Sequence, residues 1–175
     1  GLTGQMTLGV IPTIAPYIFP PAFGELGRQL PELEIVIHEA KTEDLVEQTV
    51  RGALDLIMLA FPVDHDPLVG VDMFSEPFLL AVPAGHELDR REPVSVDELV
   101  GRELLLMNEG HCFRDHALEF CARIDAQESS KIRATSLTTL CLMAQNGVGP
   151  TLVPATAVAA EFRGVNDVRL RAIED

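Results

Sequence analysis

The chain has 175 residues, 47% hydrophobic and 23% charged, which is enough apolar content for a packed core and too much for a disordered segment. A formal net charge of −14, with no dense Lys/Arg run, excludes a segment that grips phosphate backbones or anionic lipid by itself. No apolar run is long enough to span a bilayer, and Gly1-Leu2-Thr3-Gly4-Gln5 lacks the features of a signal peptide, so the chain reads as a fragment of a longer, cytoplasmic protein.

Strands and helices alternate along the sequence. Met6–Ile11 reads as a strand, stopped by Pro12 and Pro16, with a helical stretch following through Phe23, Leu26 and Leu30. Glu34–His38 is a second strand of alternating polarity. Thr42 opens an amphipathic helix as its expected cap, with Leu45, Val46 and Val50 on one side. Leu54–Leu59 and Phe78–Val82 are apolar runs of the buried parallel kind, separated by a Pro-bearing linker around Asp64–Pro67. Ser95 caps a short helix with Glu98 three residues on. Glu103–Met107 is a strand, and Gly110 turns into a helix through Ala117, Leu118 and Phe120. Ile132–Thr135 is a strand, and Ser136 caps a helix that Asn146-Gly147 ends. Thr151–Val153 and Val168–Leu170 are the last strands.

This alternation predicts a mostly parallel α/β architecture in two lobes. Residues 1–77 form lobe I and 78–82 a crossover strand. Residues 83–165 form lobe II, and 166–175 return towards lobe I. The chain stops without a closing helix, so its C-terminal part reads as incomplete.

Three cysteines are too few for a secreted disulfide scaffold. Cys112 follows a Gly turn at a predicted helix N-terminus, where unpaired N–H groups and the helix dipole stabilise a thiolate. His111 and Arg114 add positive charge or hydrogen bonds, and Asp115 partly opposes them. Peroxide oxidises such a thiolate to a sulfenic acid. Cys121 lies nine positions on. In a regular helix nine residues rise about 13.5 Å and end about half a revolution out of phase. A disulfide needs Cα atoms within about 7 Å, so the two sulfurs can join only if the helix between them unwinds. That makes a poor staple and a good switch. Two other readings stay open for these residues: an inert buried thiol, strongest for Cys121 and stronger still for Cys141, and a metal site built from Cys112, His116, His111 and Cys121, whose spacing matches no compact zinc motif.

The segment Gly110-His111-Cys112-Phe113-Arg114-Asp115, closed by Phe120-Cys121, resembles the redox loop of OxyR-type hydrogen-peroxide sensors of the LysR family. Nearly the whole chain shares in the likeness. Ile11-Pro12-Thr13 and His38-Glu39-Ala40-Lys41-Thr42 are similar to pocket loops. Arg133-Ala134-Thr135-Ser136-Leu137 and Gly147-Val148-Gly149, followed by Leu152-Val153-Pro154, are similar to wider LysR motifs; Pro150 departs from the usual aliphatic residue. The resemblance implies an α/β fold of two Rossmann-like lobes resembling a periplasmic binding protein. It implies that Cys112 is the peroxidatic and Cys121 the resolving cysteine, forming a reversible intramolecular disulfide without metal or cofactor. Thr13, Thr42 and His111 would line a pocket for peroxide or water, and Arg114 would support the thiolate. Thr13 could also bond only its own turn, and Thr42 could serve only as a cap. The implied partners are hydrogen peroxide, DNA through an N-terminal helix-turn-helix absent from this chain, further copies in a homodimer or homotetramer, RNA polymerase, and a thiol reductant such as glutaredoxin or thioredoxin. The implied role is a regulator and not an enzyme. A metabolite-sensing LysR domain with incidental cysteines and a thiol peroxidase are the competing functions.

Overall fold

A computed structural model describes residues 2–60, 66–90, 92–108 and 112–174, with Cys112 through its backbone alone. Asp64 and His65 of the expected linker fall outside the described residues, and Asp66 and Pro67 within them. The chain divides into two compact units, Gly1–Phe74 with Gly110–Cys112, and Ser75–Glu109 with Phe113–Asp175.

The first unit is a parallel sheet in the order β2-β1-β3, from strands β1 (Gly4–Val10), β2 (Leu33–Glu39) and β3 (Leu56–Met58). Helix α1 (Ala15–Gln29) follows β1, and α2 (Thr42–Val50) follows β2. Strand alternation sends neighbouring β1 residues to opposite faces. Val10 packs with Ala15 and Phe19 of α1, backed by Leu8 and Ile37. On the other side Leu45 of α2 packs with Ile11 and Leu54, backed by Ile57. Gly9 lies under α2 because a Cβ there would sit 2.7 Å from Leu45 Cδ2 and 2.8 Å from both Ile57 Cγ2 and Leu54 Cδ1. Pro16 falls in the first turn of α1, where no N–H is needed, but Pro20 and Pro21 stand inside the helix.

The second unit is a six-stranded sheet in the order β5-β9-β4-β8-β6-β7. Its strands are β4 (Phe78–Pro83), β5 (Val94–Ser95), β6 (Glu103–Met107), β7 (Gln127–Ala134), β8 (Thr151–Pro154) and β9 (Val168–Glu174). Helices α3 (Cys112–Arg123) from Phe113 onward, α4 (Leu137–Gln145) and the single-turn α5 (Val158–Glu161) belong to this unit's part of the sequence. Pairings are parallel except those of β4, which runs antiparallel to β8 and to β9. Leu104–Met107 and Thr151–Pro154 are buried throughout, as strands covered on both faces must be. Leu140, Cys141 and Ala144 of α4 are fully buried.

Three expectations change. Residues 78–82 are not a crossover between lobes but an interior strand of the second sheet, and the division falls at Phe74, not at residue 77. Residues 168–174 pair with β4 and β5 in this same sheet, so the segment lies in the second unit. Lys41, not Thr42, is the N-cap of α2; Thr42 is the first helical residue. Two caps hold as read. Ser95 and Glu98 form a capping box on the turn at Val96–Leu99, and Ser136 Oγ accepts from Thr139 N at 3.2 Å.

Candidate redox site

The cysteine-bearing segment is one crossover connection. β6 ends at Met107, its parallel neighbour β7 begins at Gln127, and α3 joins them. Cys112 is the first residue of α3, so its backbone lies in the turn whose N–H groups lack intrahelical acceptors. Its side chain, all of His111 and the expected Gly110 turn lie outside the described residues.

The inner face of α3 repeats every four residues: Phe113, Ala117 and Cys121 are buried. Phe113 meets Phe78 of β4 edge to face, ring centroids 5.2 Å apart. Cys121 is a free thiol on this stripe. Burial, and then the Glu128 carboxylate, push it up to about 11, with a backbone hydrogen bond opposing. Cys141 is also free and fully buried; burial first and Glu161 second push it up to about 12. Both are poor nucleophiles at neutral pH, because the thiolate is the reactive form. About two and a half turns of helix separate Cys112 from Cys121, which sets the two positions on opposite sides.

Arg114 is buried, and its guanidinium is engaged. Nη1 donates to the Met107 carbonyl at 2.9 Å and to Glu128 Oε1 at 2.6 Å, and Nη2 donates to Glu128 Oε2 at 2.9 Å. The Arg114 hydrogen bonds, against the opposing effect of desolvation, hold the Glu128 carboxyl below the usual carboxylate range. The Glu128 carboxylate answers this cation, so what Arg114 visibly does is tie α3 to β6 and β7. Glu128 was not singled out from the sequence. It lies 14 residues from Arg114, on the far side of the helix, and no local motif joins them.

Thr13 and Thr42 belong to the first unit. Each follows the carboxyl end of a parallel strand, Thr13 after β1 and Thr42 after β2, and these strands are neighbours. Ligands of open α/β sheets bind at this edge. Thr13 is only 5% exposed. Thr42 Oγ1 is buried with no hydrogen-bond partner among the described residues, as is Asn108 Oδ1 just past β6. A buried hydroxyl left unpaired costs about 1–3 kcal/mol, so Thr42 Oγ1 is an acceptor-donor in want of a small polar partner. The structure thus gathers Cys121, Arg114 and Glu128 around α3, and sets Thr13 and Thr42 along one sheet edge. Among the described residues no group of three or more His, Cys, Asp or Glu could hold a metal ion, and no helix is long and apolar enough to cross a membrane.

The fold is α/β in two lobes, of the periplasmic-binding-protein kind, with a cysteine-bearing crossover helix between β6 and β7. The LysR substrate binding domain profile matches residues 1–175, and the chain belongs to that family. It is 41% identical over 173 residues to the DNA-binding transcriptional dual regulator OxyR of Escherichia coli (strain K12), a match that covers 99% of this chain and 57% of that protein. The chain therefore spans a little over half the length of that relative. Among solved structures it is similar to the reduced form of OxyR, with a TM-score of 0.86 and 37% identity, covering 98% of this chain and 80% of the other. It is also similar to a cysteine-to-serine mutant of Corynebacterium glutamicum OxyR bound to hydrogen peroxide, with a TM-score of 0.92 and 30% identity, covering 99% of this chain and 55% of the other.

Proposed function

We propose that this chain is the sensing domain of a peroxide-responsive transcription regulator, in which Cys112 and Cys121 form a reversible disulfide. The Cys112 thiolate attacks one oxygen of hydrogen peroxide. The O–O bond breaks, sulfur becomes the sulfenic acid S–OH, and the leaving hydroxide takes a proton to become water. The Cys121 sulfur then displaces that hydroxyl, giving the S–S bond and a second water. Thr13, Thr42 and His111 hold the peroxide, and Arg114 stabilises the helix start from which Cys112 reacts.

The observation that carries this reading is the placement of the two cysteines on α3. One stands at the helix start, where a thiolate is favoured. The other is nine residues on, buried and protonated, on the opposite side. Joining them requires the helix to unwind, which turns a chemical event into a structural one. The buried hydroxyl of Thr42, without a hydrogen-bond partner among the described residues, and the likeness to a peroxide-bound OxyR support the same reading. In the whole protein, the rearrangement changes the packing of a homodimer or homotetramer on DNA in the cytoplasm, and so its dealings with RNA polymerase. A dithiol reductant such as glutaredoxin or thioredoxin resets it. The domain signals and does not turn peroxide over.

The test is mass spectrometry after one equivalent of peroxide. The expected result is a loss of two hydrogens and a linked Cys112–Cys121 peptide, abolished in Cys112→Ser. Unmodified thiols at that dose would instead favour a metabolite-sensing domain. Consumption of many equivalents with a supplied reductant would favour a thiol peroxidase.

A further inference from the structure

Glu128 acts on both halves of the redox helix. Its carboxylate grips Arg114 at two points, while Arg114 also holds the Met107 carbonyl. One carboxylate on β7 thereby ties the first turn of α3 to the ends of two strands. The contact is shielded: side-chain exposure is 9% for Arg114 and 20% for Glu128. A forked pair of this kind is among the stronger polar contacts a protein makes. The same carboxylate also bears on Cys121, near the other end of α3.

We propose that Glu128 is a positioning residue that sets the redox poise of the Cys112–Cys121 couple, by latching α3 in its helical dithiol form through Arg114. The inference rests on the disulfide reading given above. When the two sulfurs join, residues 113–120 become a closed loop. The helical turn that aims Arg114 at Glu128 is then lost, and the forked contact with it. The dithiol form therefore carries a stabilising contact that the disulfide form lacks. Exchange with a small dithiol makes this measurable. The protein's two S–H bonds and the reagent's S–S bond break, a protein S–S bond forms, and the reagent takes up both hydrogens. The protein sulfurs are oxidised and the reagent sulfurs reduced.

The protein and its variants are equilibrated, without oxygen, in dithiothreitol buffers of graded reduced-to-oxidised ratio, and the disulfide fraction is read by mass after alkylation. In Glu128→Gln the midpoint moves roughly tenfold towards the disulfide, the size expected for losing a charge-assisted contact. Arg114→Lys keeps the charge without the fork and moves it the same way by less; it carries the readout should Glu128→Gln fail to fold. Ser129→Ala is the control: it removes a hydrogen bond to Glu103 from the adjacent residue of β7 and leaves the midpoint in place. A Glu128→Gln midpoint within twofold of wild type, or an equal shift in Ser129→Ala, overturns the latch. If the wild-type protein forms no Cys112–Cys121 disulfide at any ratio, the sensing function falls instead. The latch is then read from hydrogen exchange of the reduced protein. Faster exchange of α3 amides in Glu128→Gln, with β8 unchanged, supports it, and equal protection overturns it.

Discussion

Phe78 and Phe113 meet edge to face, with ring centroids 5.2 Å apart and planes at 84°. One ring comes from β4, which runs antiparallel to both its neighbours in the second sheet, the other from the first turn of α3. Phe113 is 5% exposed, so the contact is part of the core. Phe113→Ala should cost about 3–5 kcal/mol of stability in the reduced protein, from lost transfer energy and the cavity left behind. Urea unfolding under reductant measures this. A loss below about 1 kcal/mol would mean that the site collapses around the gap and that the ring is not an anchor.

The buried thiols make the reduced fold sensitive to alkali. Cys121 and Cys141 hold their protons to about 11 and about 12, whereas the unfolded chain releases them near 9.0, as an exposed thiol does. Above that value the unfolded state binds fewer protons than the native one, so stability falls as pH rises. The contribution is fully present below pH 9 and is lost as pH climbs through the native values. Each thiol adds a slope of up to about 1.4 kcal/mol per pH unit. Denaturation midpoints at pH 7, 9, 10 and 11 should therefore drop beyond pH 9, less steeply in Cys141→Ala. Identical slopes in the two proteins would remove Cys141 from this account.

Gly9 is set by packing and not by backbone freedom. Three side chains, Leu45, Ile57 and Leu54, close over its Cα. Gly9→Ala should destabilise the first unit by about 1–3 kcal/mol through overpacking. Thermal unfolding read on Tyr17, the single tyrosine of the chain and a residue of α1, reports on that unit. An unchanged transition would show that the three branched side chains step aside at no cost.

Thr42 separates a structural role from a binding one. Its hydroxyl is buried and has no partner among the described residues, so Thr42→Val, which keeps the shape, should leave stability unchanged or raise it by about 1 kcal/mol. The rate of Cys112 oxidation by peroxide should fall at least tenfold if the hydroxyl holds the oxidant, an effect of one hydrogen bond made in the transition state. Stopped-flow oxidation and an unfolding curve on the same variant decide the matter. A lost fold with an unchanged rate would reverse the assignment.

Much of the fold is legible in local pattern. Ser136 and Asn146-Gly147 bracket α4 because a hydroxyl cap and a glycine at positive φ, here +78°, are local chemistry. Strands β6 and β8 show as apolar runs because both their faces are covered. Direction is another matter. Phe78–Pro83 is equally apolar whichever way it runs, so the antiparallel pairing of β4 leaves no trace in its residues. β7 starts earlier than its apolar end suggests, at Gln127, because it is an outer strand with a polar first half. β9 extends to Glu174 with arginines inside it. Arg171 is sheltered by Asp89 and Glu92, which lie 82 and 79 residues away and are invisible to any local reading.

The site divides along the same line. That Cys112 and Cys121 share one helix is legible because their spacing is local arithmetic. Arg114 reads as a cation beside a thiol, but its bond to Glu128 exists only because β6, α3 and β7 fold back on one another. The cap assigned to Thr42 belongs to Lys41, since a helix start one residue earlier gives the same sequence pattern.

That fold-back also governs how far a change in α3 travels. Glu103, Leu104, Leu106 and Met107 of β6 are each registered against β7, from Gln127 to Ala134. The helix is thus a strap clipped at both buckles: its interior can be rewound into a loop while both attachment points stay hydrogen-bonded where they are. Circular dichroism across a redox titration should then register helix loss alone, with the strand signal standing still.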